Sequence, residues 1–196
     1  DLSPDGKQLV FSFDPAPIKR ITDSFALAML DIKTRKVRVL AQDKDWHFSA
    51  PRFDHAGKRI AFIARQIWKR HTAPSELAIM DLANSKWQQI SNQWDRELAS
   101  PPHWASDENT VLFTGEDQGR CHLWQCNVSS KEIQRVATGG WIHSFDHAAD
   151  SIVFAADSMK HPAQISVMRA GQTPQRIEQF NDRMLAAFEL GESESV

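Results

Sequence analysis

The chain has 196 residues, 41% of them hydrophobic and 24% charged, which is the balance of a globular rather than a disordered chain. Its formal charge of −2 provides no basic field, so neither nucleic acid nor an anionic membrane surface is an expected partner. No apolar run approaches the ~20 residues that a membrane-spanning helix needs, and the length suits one domain of ordinary size or slightly more.

The sequence opens inside a turn. Asp1-Leu2-Ser3-Pro4-Asp5-Gly6 has no Met and no leader pattern, and the expectation is a fragment of a longer chain whose compartment is not written here. In Ser-Pro-Asp-Gly, Pro presets φ at the second turn position and Gly closes the turn without steric cost. Leu9-Val10-Phe11 follows as a β-prone strand. A second apolar run, 26–31, leads through the polar turn Asp31–Lys36 into a further strand, and the same order then recurs. Residues 51–64, 102–115 and 144–156 repeat the turn and strand, aligning Phe11, Phe62, Phe113 and Phe154. Residues 76–91, 122–137 and 164–179 repeat the second pair.

Each repeat therefore reads as four antiparallel strands, A to D; in the second, A is expected at about 50–53, B at 59–64, C at 76–82 and D at 86–90. Strands B and C are apolar on both faces, as strands sandwiched between neighbouring layers are. Four-stranded units of roughly 40–50 residues predict an all-β chain, a partial β-propeller of about four blades over 1–42, 43–92, 93–138 and 139–180. A stacked β-solenoid is the competing architecture, but its repeats are usually shorter. Residues 181–196 are expected to form an exit segment.

Cys121 and Cys126 lie on one predicted strand. Five extended residues separate them by roughly 17 Å, whereas a disulfide needs less than about 7 Å, so two buried thiols are expected. Their spacing, without a second pair, is not a zinc pattern. His143 and His147 have the i, i+4 spacing that serves a metal only on a helix. No Gly-rich phosphate loop occurs. Gly191-Glu192-Ser193-Glu194-Ser195 approaches a nucleophile elbow, but its last position is Ser and no apolar strand feeds it, so it reads as a solvated linker. No catalytic residue, metal or cofactor is expected.

Recognition remains. In a four-stranded meander the B–C and D–A connections share one end of the blade, and here they are the longer loops. They carry Trp46 and His47, then Arg65, Trp68, Arg70 and His71, then Trp94 and Arg96. Aromatic residues beside Arg are favoured at binding surfaces. The simpler reading is that these Trp rings cover the blade ends; the functional one is that they dock a hydrolase domain or line a peptide entry.

The repeated Ser-Pro-Asp-Gly-Lys turn with Ile-Ala-Phe-like strands resembles the propellers of the prolyl oligopeptidase family and of TolB-type proteins. The tail Arg176-Ile177-Glu178-Gln179-Phe180-Asn181-Asp182-Arg183-Met184-Leu185, followed by Phe188-Glu189-Leu190-Gly191-Glu192, is similar to the propeller exit of acylaminoacyl-peptidase and dipeptidyl-peptidase-like members. The resemblance implies a propeller of roughly seven blades, of which this chain is the C-terminal part, followed by an α/β-hydrolase domain with a Ser-Asp-His triad beyond residue 196. It implies partners too: that hydrolase domain and the peptide substrate of the parent protein. The turns at Ser106–Asn109 and Asp146–Asp150 depart from the pattern. A TolB-like binding scaffold without enzymatic activity is the alternative, and other propellers, including polysaccharide lyases, share similar turns. Four blades of a larger ring would leave two apolar faces uncovered, so self-association of the chain is expected.

Overall fold

The computed structural model describes residues 1–15, 24–67, 73–169 and 171–191, and their regular structure is almost entirely antiparallel strand. Blade one contains β1 (Gln8–Phe13), β2 (Ala26–Asp31) and β3 (Val37–Ala41). Leu2, ahead of β1, forms a single antiparallel bridge with Leu9. Blade two has all four strands: β4 (Trp46–Phe53), β5 (Arg59–Gln66), β6 (Ser75–Asp81) and β7 (Lys86–Gln89). Its inner strand begins earlier than the sequence pattern indicates, because Trp46, His47 and Phe48 pair with Gln66, Arg65 and Ala64 ahead of an irregularity between Ser49 and Arg52. Blade three contains β8 (His103–Trp104), β9 (Thr110–Asp117), β10 (Arg120–Asn127) and β11 (Ile133–Ala137). Blade four contains β12 (Trp141–Ala148), β13 (Ser151–Ser158), β14 (His161–Arg169) and the short β15 (Gln175–Arg176). His143 and His147 both lie within β12, on a strand and not on the helix that their spacing would need to share a metal.

Local chemistry fixes the turns. In the first A–B turn, the Ser3 hydroxyl donates to Asp5 Oδ1 (2.7 Å) and accepts from the Gln8 N–H (2.9 Å), and Gly6 takes φ +70°. Asp54 takes the place of Ser3 in the second turn. Its carboxylate accepts from the Lys58 and Arg59 N–H groups at 2.7 and 3.1 Å, and Gly57 takes φ +67°. The third turn, irregular in sequence, keeps the same backbone. Glu108 occupies the glycine position at φ +57°, and Asp107 holds the turn by accepting from the Asn109 and Thr110 N–H groups. Only the fourth turn is rebuilt: Ala148 pairs with Ser151, leaving a two-residue hairpin with Ala149 at φ +52°. The C–D turns repeat as faithfully, with Asp31, Asp81 and Asn127 accepting from the backbone ahead of them and Arg35, Ser85 and Lys131 at positive φ.

Alternation along the strands sends side chains into two different cores. Ile60, Phe62 and Ala64 of β5 join Val10, Leu27, Phe48 and Met80 between blades one and two. Their neighbour Ala61 joins Leu77, Ile79, Val111, Phe113 and Trp124 between blades two and three. Leu112 and Leu123 face the other way, onto Ile142, Phe145, Ile152 and Phe154 of blade four. Burial on both faces is what makes these strands continuously apolar. At the A–B end, Arg59 pairs with the buried Asp54 at 2.9 Å, lies 4.7 Å from the centre of the Trp104 ring and donates to the Glu108 carbonyl, which ties blade two to blade three. At the opposite end each seam carries a backbone bond: the Phe48 N–H donates to the Phe25 carbonyl (3.0 Å), the Leu98 N–H to the Ser75 carbonyl (3.0 Å) and the Cys121 N–H to the Gly140 carbonyl (3.3 Å), where Cys121 of β10 and Trp141 of β12 form a single parallel pair.

Candidate functional site

Strand order places the B–C turns and the D–A connectors at one end of the blades, and most of the described candidate residues gather there. Trp46 and His47 open β4; Arg65, opposite His47 in register, closes β5. Trp94 and Arg96 lie in the connector between β7 and β8. Trp68, Arg70 and His71 lie outside the described residues.

The two Trp residues are packed into the blade ends. Trp46 meets Trp87 edge-on at 5.2 Å and is only partly exposed. Trp94 meets Phe113 and Trp124 at 5.5 and 5.1 Å. Its ring lies over Gly115, whose carbonyl accepts from the Trp124 indole N–H at 3.0 Å. Large rings at the ends of stacked sheets shield the edge of the apolar core from water. The His47 ring is 4.9 Å from Phe25, and its Nδ1 accepts from the Phe25 N–H at 3.5 Å.

The charged residues form a chain across the seam of blades two and three. Arg96 bridges Asp95 (2.5 Å) and Asp117 (2.9 Å), and Arg135 approaches the second oxygen of Asp117 at 3.7 Å while lying 5.7 Å from the Trp124 ring centre. Glu97 accepts from the Ser75 N–H at 3.3 Å. Such half-exposed pairs contribute little to stability. The structure thus forms two groups from the candidates: Trp46, His47 and Arg65 in blade two, and Trp94 with Arg96 at the next seam.

Several residues at this end were not singled out from the sequence. Asp117 links the charged chain. Arg120, Trp141, Met159 and Lys160 surround a cleft between blades three and four. The signal was present in the tight-turn pairs Gln118-Gly119 and Gly139-Gly140, which place short hairpins and a bare connector side by side.

Nothing in this arrangement builds a nucleophile. Cys121 and Cys126 are free and buried; burial raises both thiols, Cys126 to about 11, so both stay protonated at neutral pH. Burial, followed by the charge of Arg52, lowers His103; burial and then Arg135 lower His122. Among the described residues, no three His, Cys, Asp or Glu side chains are grouped to hold a metal. The serines after Gly191 lie outside the described residues.

No protein-family model matches the chain, and no curated protein matches it in sequence. Solved structures do. The acylaminoacyl peptidase of Pyrococcus horikoshii superposes with a TM-score of 0.75 at 19% identity, over 94% of this chain and 28% of its own. The β-propeller domain of the Trilobed protease from Pyrococcus furiosus gives 0.71 at 18% identity, over 90% and 51%. TolB from Acinetobacter baumannii gives 0.67 at 17% identity, over 89% and 41%. The chain thus spans between about a quarter and a half of the length of these structures. At such identities the likeness is one of fold: the chain is a part of a β-propeller, similar to the propellers of acylaminoacyl peptidase, the Trilobed protease and TolB.

Proposed function

We propose that this chain is the non-catalytic propeller portion of a serine peptidase of the prolyl oligopeptidase type, with blades over 1–180 and an exit segment over 181–196. Its role is to restrict access of large substrates and to dock an α/β-hydrolase domain at the end where the B–C and D–A connections lie. Trp46, His47, Arg65, Trp94 and Arg96, with Trp68, Arg70 and His71, supply the contacts to that domain or to a peptide passing it. The parent enzyme would cleave peptides or acyl-peptides by acyl transfer through an activated serine.

The observation that carries this reading is the exit from β15. Arg176 pairs with Glu178 (2.7 Å) and Asp182 (2.5 Å), and Glu178 accepts from the Phe180 N–H. That bracket holds a single helical turn, α1 (Asp182–Leu185), with Phe180, Met184 and Phe188 exposed at 83, 57 and 63%. Apolar side chains held out in this way mark a surface that another folded unit covers.

The test uses the parent gene. Its full-length product should be labelled by a fluorophosphonate and should hydrolyse acyl-peptides or aminoacyl-naphthylamides, while residues 1–196 alone do neither. A product without a strand–Gly-x-Ser-x-Gly–helix unit that fails to label overturns the reading. Likeness to TolB supports a second reading, a protein-binding scaffold without enzymatic activity. That reading predicts a stable protein partner in place of hydrolysis.

The uncovered faces of blades one and four support self-association of the isolated chain. On blade four, Val153 pairs with Val167 and Ala155 with Ile165, all on the face turned away from blade three, and Val153 and Ile165 are exposed.

A further inference from the structure

The segment that leaves blade four repeats, in sequence, the connector that leaves blade two. Ile90 and Ile177 hold the same place: each donates its N–H to the neighbouring C strand, to the Leu77 and Ile165 carbonyls, at 2.9 Å. From there the two segments keep the same residues at the same spacing, Asp95-Arg96 and Leu98-Ala99 in one, Asp182-Arg183 and Leu185-Ala186 in the other. Their paths differ. In the connector, Leu98 crosses to blade two's C strand, donates to the Ser75 carbonyl at 3.0 Å and is 5% exposed. In the exit, Leu185 donates instead to the Asn181 carbonyl at 2.9 Å, closing the helical turn of α1, and is only partly buried.

Two positions account for the divergence. After Ile90 comes Ser91, whose hydroxyl accepts from the Leu77 N–H at 2.8 Å. After Ile177 comes Glu178, whose buried carboxylate faces the equivalent Ile165 N–H and also reaches forward to the Phe180 N–H at 2.8 Å. Before Ile90 stands Gln89, turned to Glu76; before Ile177 stands Arg176, which holds Glu178 at 2.7 Å and Asp182 at 2.5 Å. Charge-assisted bonds of this kind fold residues 178–182 back on themselves and commit the Leu185 N–H to α1. The acceptor left behind is defined by the other blades. At each seam the backbone bond falls on the residue three places before the partner of the aligned B-strand phenylalanine: Phe25, Ser75 and Cys121 precede Ala28, Ala78 and Trp124, which pair with Phe11, Phe62 and Phe113. In blade four Phe154 pairs with Ser166, so the corresponding residue is Ala163, and it is exposed. The length of chain from Ala163 to Leu185 matches that from Ser75 to Leu98 to within one residue.

We propose that the bracket of Arg176, Glu178 and Asp182 is a latch with two positions. Closed, it turns residues 178–187 outward as α1. Open, the same residues take the connector path, the Leu185 N–H bonds the Ala163 carbonyl, and the Leu185 side chain lies on the uncovered edge of blade four. The latch thereby sets the direction in which the chain leaves the last blade. It rests on the internal repeat and not on the peptidase reading, so either can fail alone.

The test gives the exit the connector's own residues, Arg176→Gln with Glu178→Ser, in residues 1–196. Nuclear Overhauser contacts and amide hydrogen exchange, assigned residue by residue, are the readouts. The unsubstituted chain should show Leu185 in contact with Asn181 and not with Ala163. In the double variant the first contact should vanish and one between the Leu185 amide and Ala163 should appear. Exchange at Leu185 should stay at least about tenfold slower than that of an unprotected amide. Asp182→Asn cuts one arm of the bracket without touching the D strand, and should move both contacts the same way by a smaller amount. Persistence of α1 in the double variant, or loss of all protection over 178–187 without a contact to Ala163, overturns the proposal. Should the double variant not fold, the same two contacts in Asp182→Asn decide it.

Discussion

The Trp94 ring lies where a side chain on residue 115 would stand: a Cβ on Gly115 would come within 2.6 Å of it. The connector from blade two is thus seated on a bare stretch of blade three, and the seat exists only because position 115 is glycine. Gly115→Ala is expected to destabilise the chain by about 1–3 kcal/mol through overpacking. Urea unfolding followed by Trp fluorescence measures it. Adding Trp94→Ala should remove the larger part of the cost of alanine at 115, leaving the tight contacts with the Glu97 carbonyl (3.1 Å) and the Trp124 ring (3.3 Å), and strictly additive losses would show that the Trp94 ring is not what it strikes.

Asp54 is 1% exposed and organises the second A–B turn through two backbone N–H groups and Arg59. Asp54→Ala leaves those donors without an acceptor and should cost about 2–3 kcal/mol. Asp54→Ser should cost less, because Ser3 already performs the backbone part of this task in the first turn. Thermal melts of the two variants decide it, and equal losses would locate the whole effect in the Arg59 pair.

Acid should act in two stages. Burial, aided by Arg52 and Arg135 respectively, lowers His103 and His122, so at pH values below the ordinary 6.5 the unfolded chain takes up protons that the folded chain refuses. Their contribution to stability is complete above 6.5 and is lost as pH falls through the lowered folded values. Lower still come carboxylates held down by hydrogen bonds: Asp5 by Ser3, Asp31 by the Thr34 N–H, and Glu178 by Arg176. These contribute above the ordinary carboxylate range and fail as pH drops through their folded values. Melting temperature against pH should therefore begin to fall near 6.5. In His103→Gln, His122→Gln the first decline should disappear while the second remains.

The outward face of blade four predicts association of the isolated chain. Light scattering at micromolar concentration should give a mass above 22.3 kDa, and Val153→Lys with Ile165→Lys should lower it. A monodisperse monomer before substitution would refute the idea.

The fold was legible because the same local devices recur. Ser-Pro-Asp-Gly, Asp-His-Ala-Gly and the Asp31, Asp81 and Asn127 turns each name their own hydrogen bonds, and the doubly apolar strands announce burial on both faces. Position 108 shows where legibility ends. Glu there hides a turn identical in backbone to those with glycine, because Asp107, Asn109 and Thr110 supply the missing preference through side-chain hydrogen bonds. The loop residues were read by type, and type does not reveal packing. Trp46 and Trp94 have the composition of a binding surface, yet each ring is set against other aromatics by a register that only the folded sheets define. The cleft beside Gly140 was unreadable for the opposite reason: it depends on what the connector lacks.

The parallel contact between Cys121 and Trp141 is one of three equivalent stitches. There the Cys121 N–H donates to the Gly140 carbonyl at 3.3 Å; at the seam of blades one and two the Phe48 N–H donates to the Phe25 carbonyl at 3.0 Å, and at the seam of blades two and three the Leu98 N–H donates to the Ser75 carbonyl at 3.0 Å. Each bond joins the start of a C strand to the first strand or connector of the next blade. Parting any two neighbours must therefore break backbone pairing as well as apolar packing, so strain is shared along the row of blades instead of collecting at one seam.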